Sequence, residues 1–216
     1  MHIAPAVLLV LAQGGGAPVA PMPEPHGYLT AVPLLAVQPA GEPFHRFSPP
    51  LSGRAPALLI SAGYWLTPQF GVEGELTLGR AVSAPQQFSY TWREDFTAYS
   101  RDQLAMLLVR WRPARGVFHL VAGGGVTRST IGQRDIVTTY IFQTGQPTVR
   151  EADWAETRLD FRLTAGFDLA LPVHRRAAVV PTFRVRTIDR SGMEYATYMG
   201  MGAVRYDVGM GLRAMF

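Results

Sequence analysis

From Leu159 to Leu169 every odd-numbered residue, Leu159, Phe161, Leu163, Ala165, Phe167 and Leu169, is apolar, while Asp160, Arg162, Thr164 and Asp168 hold even positions of the same stretch and Glu156 and Arg158 carry that parity back before it. Successive side chains of a β-strand point to opposite faces, so this stretch reads as a strand whose two faces meet two different solvents. The same parity governs VRYDVGMGLRAMF, where Val204, Tyr206, Val208, Met210, Leu212, Ala214 and Phe216 alternate with Arg205, Asp207, Gly209, Gly211 and Arg213. It recurs at 70–78, with Phe70, Val72, Leu76 and Leu78 opposing Glu73, Glu75 and Thr77, and at 179–186, with Val179, Phe183 and Val185 opposing Thr182, Arg184 and Arg186. Segments 55–64 and 104–111 are apolar on both faces, which leaves their inward side open.

The connections between these segments alternate in length. LTPQF, RPARG and LPVHRRA are short, whereas 81–97, 129–154 and 189–203 are long and polar. Short and long in turn is the pattern of an antiparallel up-and-down transmembrane β-barrel in an outer membrane. Three short turns and a final strand give seven segments, and bacterial barrels close with an even number, so an eighth strand is required before residue 54. Residues 27–37, GYLTAVPLLAV, supply it, although both faces are apolar and Pro33 has no N–H for a ladder. The predicted fold is therefore all-β, an eight-stranded barrel over 27–216.

Alternation alone also fits a soluble sandwich or a lipocalin-like barrel, which place the apolar set inside. The aromatic residues and the strand lengths choose between them. Trp65, Phe70, Trp111, Phe118 and Phe216 all fall where strands meet the short turns, as an interfacial girdle requires. Strands of about 11 to 15 residues, tilted by about 40°, cover an apolar band of about 25 Å.

No cysteine is present, which excludes disulfides and thiolate metal sites, and His2, His26, His45 and His174 lack metal-ligand spacing. All 20 basic residues are arginine and the net charge is +4, but the arginines are interleaved with carboxylates at strand spacing and do not form a nucleic-acid patch. No run reaches the roughly 18 apolar residues of a membrane helix. MHIAPAVLLVLAQGGG instead reads as the apolar region of a secretory signal, with Val10, Leu11 and Ala12 before Gln13 as the cleavage pattern and no positive charge ahead of it. Residues 1–26 are expected to be signal peptide and flexible leader.

The stretch GMGLRAMF resembles the C-terminal β-signal of outer-membrane barrels in Gly211 and Phe216, with Ala214 where a larger hydrophobe is usual. The architecture of 27–216 is similar to that of the small OmpA/OmpX-type and opacity-protein-like barrels. That resemblance implies location in the bacterial outer membrane, recognition of the last strand by the barrel assembly machinery, and outer-membrane lipid and lipopolysaccharide as neighbours. It transfers little about activity, because such barrels share fold more than function.

Inside such a barrel, Glu73, Glu75, Glu156, Asp160, Asp168 and Asp207 would face Arg158, Arg162, Arg184, Arg186, Arg205 and Arg213. The signs nearly cancel, and an interior of about eight strands is just wide enough for side chains, so a plug of ion pairs is expected over a charge-selective pore. The expected function is a structural or surface-interaction barrel. A narrow porin-like channel is the alternative, and a lipid-modifying barrel enzyme the third reading. His119 is placed in the lumen by its parity with Phe118 and Leu120, but no His-x-Ser sequence accompanies it, so it is read as a hydrogen-bonding residue. No catalytic residue, cofactor or metal is assigned. VAGGGVTRST lacks a dinucleotide fingerprint, and its glycines are expected to relieve crowding in a curved strand. The long connections carry exposed aromatics in SYTWRED and TTYIFQTGQ, where such barrels bind partners; Arg80, Arg128 and Arg190 near the loop ends are expected to meet lipopolysaccharide phosphates.

Overall fold

The computed structural model describes residues 26–41, 52–89, 92–113, 116–140, 147–188 and 202–216. The expected signal and leader up to residue 25, and Arg190, lie outside them. Ten strands form one antiparallel sheet: β1 (Gly27–Gln38), β2 (Gly53–Trp65), β3 (Phe70–Gly79), β4 (Val82–Ser89), β5 (Trp92–Trp111), β6 (Phe118–Tyr140), β7 (Pro147–Leu169), β8 (Leu171–His174), β9 (Ala177–Thr187) and β10 (Val204–Met215). β4 follows β3 along β5, and β8 follows β7 along β9, so the wall has eight staves in the order β1-β2-β3-β5-β6-β7-β9-β10. Pairing of β10 with β1, from Tyr28 opposite Met215 to Val37 opposite Tyr206, closes the barrel.

Pro33 leaves its mark on that seam. The β1–β10 register passes over Val32 and Pro33 without slipping, resuming at Leu34 opposite Gly209, while on the other side Pro33 pairs with Leu58. A proline lacks the N–H that one of its two neighbours would need. The missing bond is localised and the strand continues through it.

The apolar parity faces outward on every stave. Leu107, Leu159, Phe161, Leu163, Met210 and Leu212 are exposed, whereas Glu73, Glu75, Arg184, Arg186 and Asp207 are buried. This inversion is the opposite of a soluble barrel and identifies the exterior as the lipid-facing surface. At the short-turn end Phe70, Trp111, Phe118 and Phe216 point outward, as a girdle would, joined by Tyr64. Trp65 does not: it is buried on the lumen side, where it caps the interior. Its neighbour Tyr64 takes the outward position because adjacent residues of a strand must face opposite ways.

Three strands are longer than expected. β5 has 20 residues and β6 and β7 have 23 each, so much of 81–97 and 129–154 is ladder and not loop. Beyond the lipid band both faces of a strand meet water, so no apolar parity is required there and the sequence loses its periodic signal. Together with β4 these extensions form a four-stranded sheet rising past the barrel on the long-loop side.

Inward glycines stand against neighbouring backbone at several seams, among them β5–β6 and β10–β1 on opposite sides of the ring. A Cβ on Gly125 would stand 2.7 Å from Met106 Cα, and one on Gly211 would stand 2.6 Å from Val32 Cα, distances at which backbone must move. At these places the wall coils so sharply that the neighbouring strand occupies the space of the side chain. Beside the seams the lumen is apolar, with Leu104, Met106, Leu108 and Val121 at one and Val32, Leu34 and Leu59 at the other. Gly211→Val should therefore cost more than the roughly 1–3 kcal/mol usual for overpacking, because the obstacle is backbone. The measurement is loss of the unboiled, fast-migrating band on gel electrophoresis after refolding.

Candidate functional site

Between the two apolar lobes runs a chain of charges. β3 presents Glu73, Glu75 and Thr77 to the lumen and β9, four staves away around the ring, presents Thr182, Arg184 and Arg186. Glu75 bridges the diameter: one oxygen accepts from Arg184 Nε at 3.1 Å and the other from Arg186 Nη2 at 2.8 Å. Toward the short turns, Asp168 accepts from Arg110 Nη1 at 2.6 Å, Arg184 Nη1 at 2.7 Å, Arg213 Nη2 at 2.9 Å and the Thr182 hydroxyl at 3.0 Å. Arg110 continues to Glu73, which also accepts from the Tyr28 hydroxyl at 2.6 Å. Toward the long loops, Asp207 accepts from Arg186 Nε at 2.5 Å and Arg205 Nε at 3.1 Å. Arg205 and Arg162 then share Asp102, each at 3.0 Å, with Ser129 donating to the same carboxylate at 2.9 Å.

The result is one alternating sequence, Glu73–Arg110–Asp168–Arg184–Glu75–Arg186–Asp207–Arg205–Asp102–Arg162, with Arg213 branching from Asp168. Desolvating these ions is expensive, and the cost is offset where the inner members, such as Asp168, Glu75 and Asp207, each meet opposite charges from more than one stave. Atoms left without a partner among the described residues include Glu73 Oε1, Arg162 Nε, Arg186 Nη1 and Arg205 Nη2, which are the natural places for internal water.

Of the residues singled out in the sequence, Glu73, Glu75, Arg162, Asp168, Arg184, Arg186, Arg205, Asp207 and Arg213 lie in this chain. Asp160 stands at its loop-side edge, 3.9 Å from Arg162. Arg158 does not join it: it pairs with Glu156 one level further out, with 40% and 29% of their side chains exposed. Its parity is the inward one, and it stands beyond the plug because β6 and β7 carry the inward face on past it. Gly211 lies at the closing seam, and Ala214 and Phe216 face outward.

Two members were missed, Asp102 and Arg110, both buried. A signal existed. They share even parity with Leu104, Met106 and Leu108, and two charges on one face of an apolar strand mark that face as the lumen side.

His119 sits at the short-turn end of the chain. Its Nδ1 lies 3.4 Å from Arg110 Nη1 and 3.3 Å from Arg213 Nη1. Two guanidinium donors aimed at one ring nitrogen make that nitrogen an acceptor and place the ring hydrogen on Nε2. Trp65 packs edge-on against the imidazole with centroids 5.3 Å apart, above a cavity of about 180 Å³ lined also by Tyr28, Arg112 and Arg213. His119 is thus held as a hydrogen-bond acceptor under a tryptophan cap. Among the described residues, no cluster of His, Cys, Asp or Glu is arranged to hold a metal ion.

A closed antiparallel wall of eight staves, apolar outside and ion-paired inside, defines a small barrel of the outer-membrane type. No protein-family model and no curated protein matches the chain. Among solved structures it is similar to Ail, the attachment invasion locus protein of Yersinia pestis, at 11% identity and a TM-score of 0.45, covering 89% of this chain and 98% of that one. It is also similar to Neisserial surface protein A (17% identity, TM-score 0.39, 88% and 97% covered) and to the outer membrane protein OprG from Pseudomonas aeruginosa (12%, 0.40, 89% and 97%).

Proposed function

We propose that the chain is an integral outer-membrane protein with a structural or surface-interaction role, and that its barrel is a closed scaffold and not a conduit. The observation that carries this reading is the Glu75 bridge, which ties β3 to β9 across the lumen and is extended by ion pairs toward both ends. A conducting path would have to break several buried charge pairs at once, each costly to separate. The sheet extended from β4 to β7 supports the interaction role, since it offers exposed side chains such as Trp154 and the Arg134–Glu151 pair beyond the lipid band. In a planar bilayer the wild-type barrel should show no resolved conductance steps. The variant Glu75→Ala/Arg184→Ala/Arg186→Ala, which deletes the bridge, should conduct. Steady conductance by the wild type would sink the scaffold reading.

Within this reading, the Gly211-to-Phe216 stretch serves recognition during assembly. Phe216 is 66% exposed, and its backbone already exchanges hydrogen bonds with Gly27 at 2.9 and 3.0 Å. Phe216→Ala retains those bonds and removes only a lipid-facing ring. It should lower the amount of barrel in the outer membrane of cells while leaving the protein refolded in detergent within about 1 kcal/mol of wild type, the range expected for an interfacial site. Equal losses in both measurements would make Phe216 an ordinary packing residue.

A further inference from the structure

The lipid-facing wall from β2 to β6 carries two features, one directly above the other. The first is a band of arginines at the long-loop rim. Arg54, Arg80, Arg101 and Arg128 are all exposed; Arg54, Arg101 and Arg128 lie on β2, β5 and β6, and Arg80 directly follows β3 between them. Arg80 lies between the Leu78–Gln103 and Val82–Ser100 pairs, which sets it beside Arg101, and its amide donates to Pro56, two residues from Arg54. Gln103 pairs with Arg128 and is two residues from Arg101, completing the band. Like charges on adjacent staves repel. No carboxylate shares the outward face of these staves from the girdle up to the band, although the buried arginines of the lumen, Arg110, Arg162, Arg184, Arg186, Arg205 and Arg213, are all ion-paired.

The second feature is a groove of about 570 Å³ directly below, lined on the outward face by Leu29, Ile60, Ala62, Gly74, Leu107 and Gly124. Its upper end reaches Val126, two residues from Arg128 on the same face. Small side chains at Ala62, Gly74 and Gly124 make the depression, and a Cβ on Gly74 would meet nothing within 4 Å.

Cations above an apolar groove, on the side nearer the long loops, match one kind of amphiphile. We infer that this face binds a phosphorylated glycolipid of the outer leaflet, the lipid A portion of lipopolysaccharide, with its phosphates on Arg80, Arg101 and Arg128 and an acyl chain in the Gly74 groove. Guanidinium forks suit phosphate oxygens, and a phosphate relieves the repulsion within the band. The inference rests on the outer-membrane reading and adds the partner and its place on the wall.

The test uses the full chain refolded in detergent, with folding verified by heat-dependent gel mobility, and native mass spectrometry to count retained lipid. Bisphosphorylated lipid A, the same lipid dephosphorylated, and phosphatidylglycerol are offered separately. Wild type should retain the bisphosphorylated form at least about tenfold better than the other two, the factor expected from more than one charge-assisted contact. Arg80→Gln/Arg101→Gln/Arg128→Gln should abolish that preference. Gly74→Leu sends a branched side chain into the groove from a position where its Cβ meets nothing within 4 Å, and should weaken retention of bisphosphorylated lipid A with the arginines intact. Equal retention of phosphatidylglycerol, or an unchanged preference in the triple variant, would overturn the phosphate assignment. Unchanged retention by folded Gly74→Leu would overturn the groove. None of these results depends on conductance, so the scaffold reading stands or falls separately.

Discussion

Asp168→Asn should destabilise the refolded barrel by about 3–5 kcal/mol, the cost of leaving buried charge without its counter-ion. Asp168 is buried and receives three guanidinium groups, from Arg110, Arg184 and Arg213. Asparagine keeps the shape but removes the charge, and its amide hydrogens would be aimed at donors. Arg110 and Arg184 retain Glu73 and Glu75 as partners, whereas Asp168 is the carboxylate that holds Arg213 among the described residues. The double variant Asp168→Asn/Arg213→Met should therefore lose less than the sum of the two single changes, a coupling that a double-mutant cycle in urea resolves. Strict additivity would show that the two residues titrate the stability independently and that the chain of pairs is not one unit.

Leu163→Arg tests the outer face. Leu163 is 56% exposed on β7, between Phe161 and Ala165 in the middle of the apolar parity, while its neighbours Arg162 and Thr164 are buried inside. An arginine there would lie near the bilayer midplane and should cost about 2–4 kcal/mol in lipid vesicles. The same substitution at Thr157, above the lipid band on the same parity, should cost about 0–1 kcal/mol. Equal stability of both variants would remove the lipid-facing assignment.

The membrane-spanning part of the fold was legible because two solvents impose two residue chemistries with a period of two. Where that contrast is present, as from Leu159 to Leu169 and from Val204 to Phe216, strand, parity and direction could all be read. Where it is absent the reading weakened for a physical reason. The lumen beside the glycine seams is apolar, so the strands around Leu59 and Leu104 showed hydrophobic residues on both faces and hid Asp102 and Arg110. Above the membrane both faces are wet, so β5, β6 and β7 ran on unseen into segments that looked like loops.

Alternation, connection lengths and the placing of the aromatic residues together determined that this chain forms a barrel with charged residues on one face of its strands and lipid-compatible residues on the other. Which charge meets which could not come from periodicity, because parity assigns a face but says nothing of what stands opposite. Glu75 meets Arg184 and Arg186 across more than a hundred residues of chain only because eight staves close at the β10–β1 seam and place β3 opposite β9. The register of the neighbouring staves β2, β3, β5 and β6 sets the rim arginines over the Gly74 groove. Local sequence sets the two faces of each strand, and the circumference of the closed sheet sets the partners.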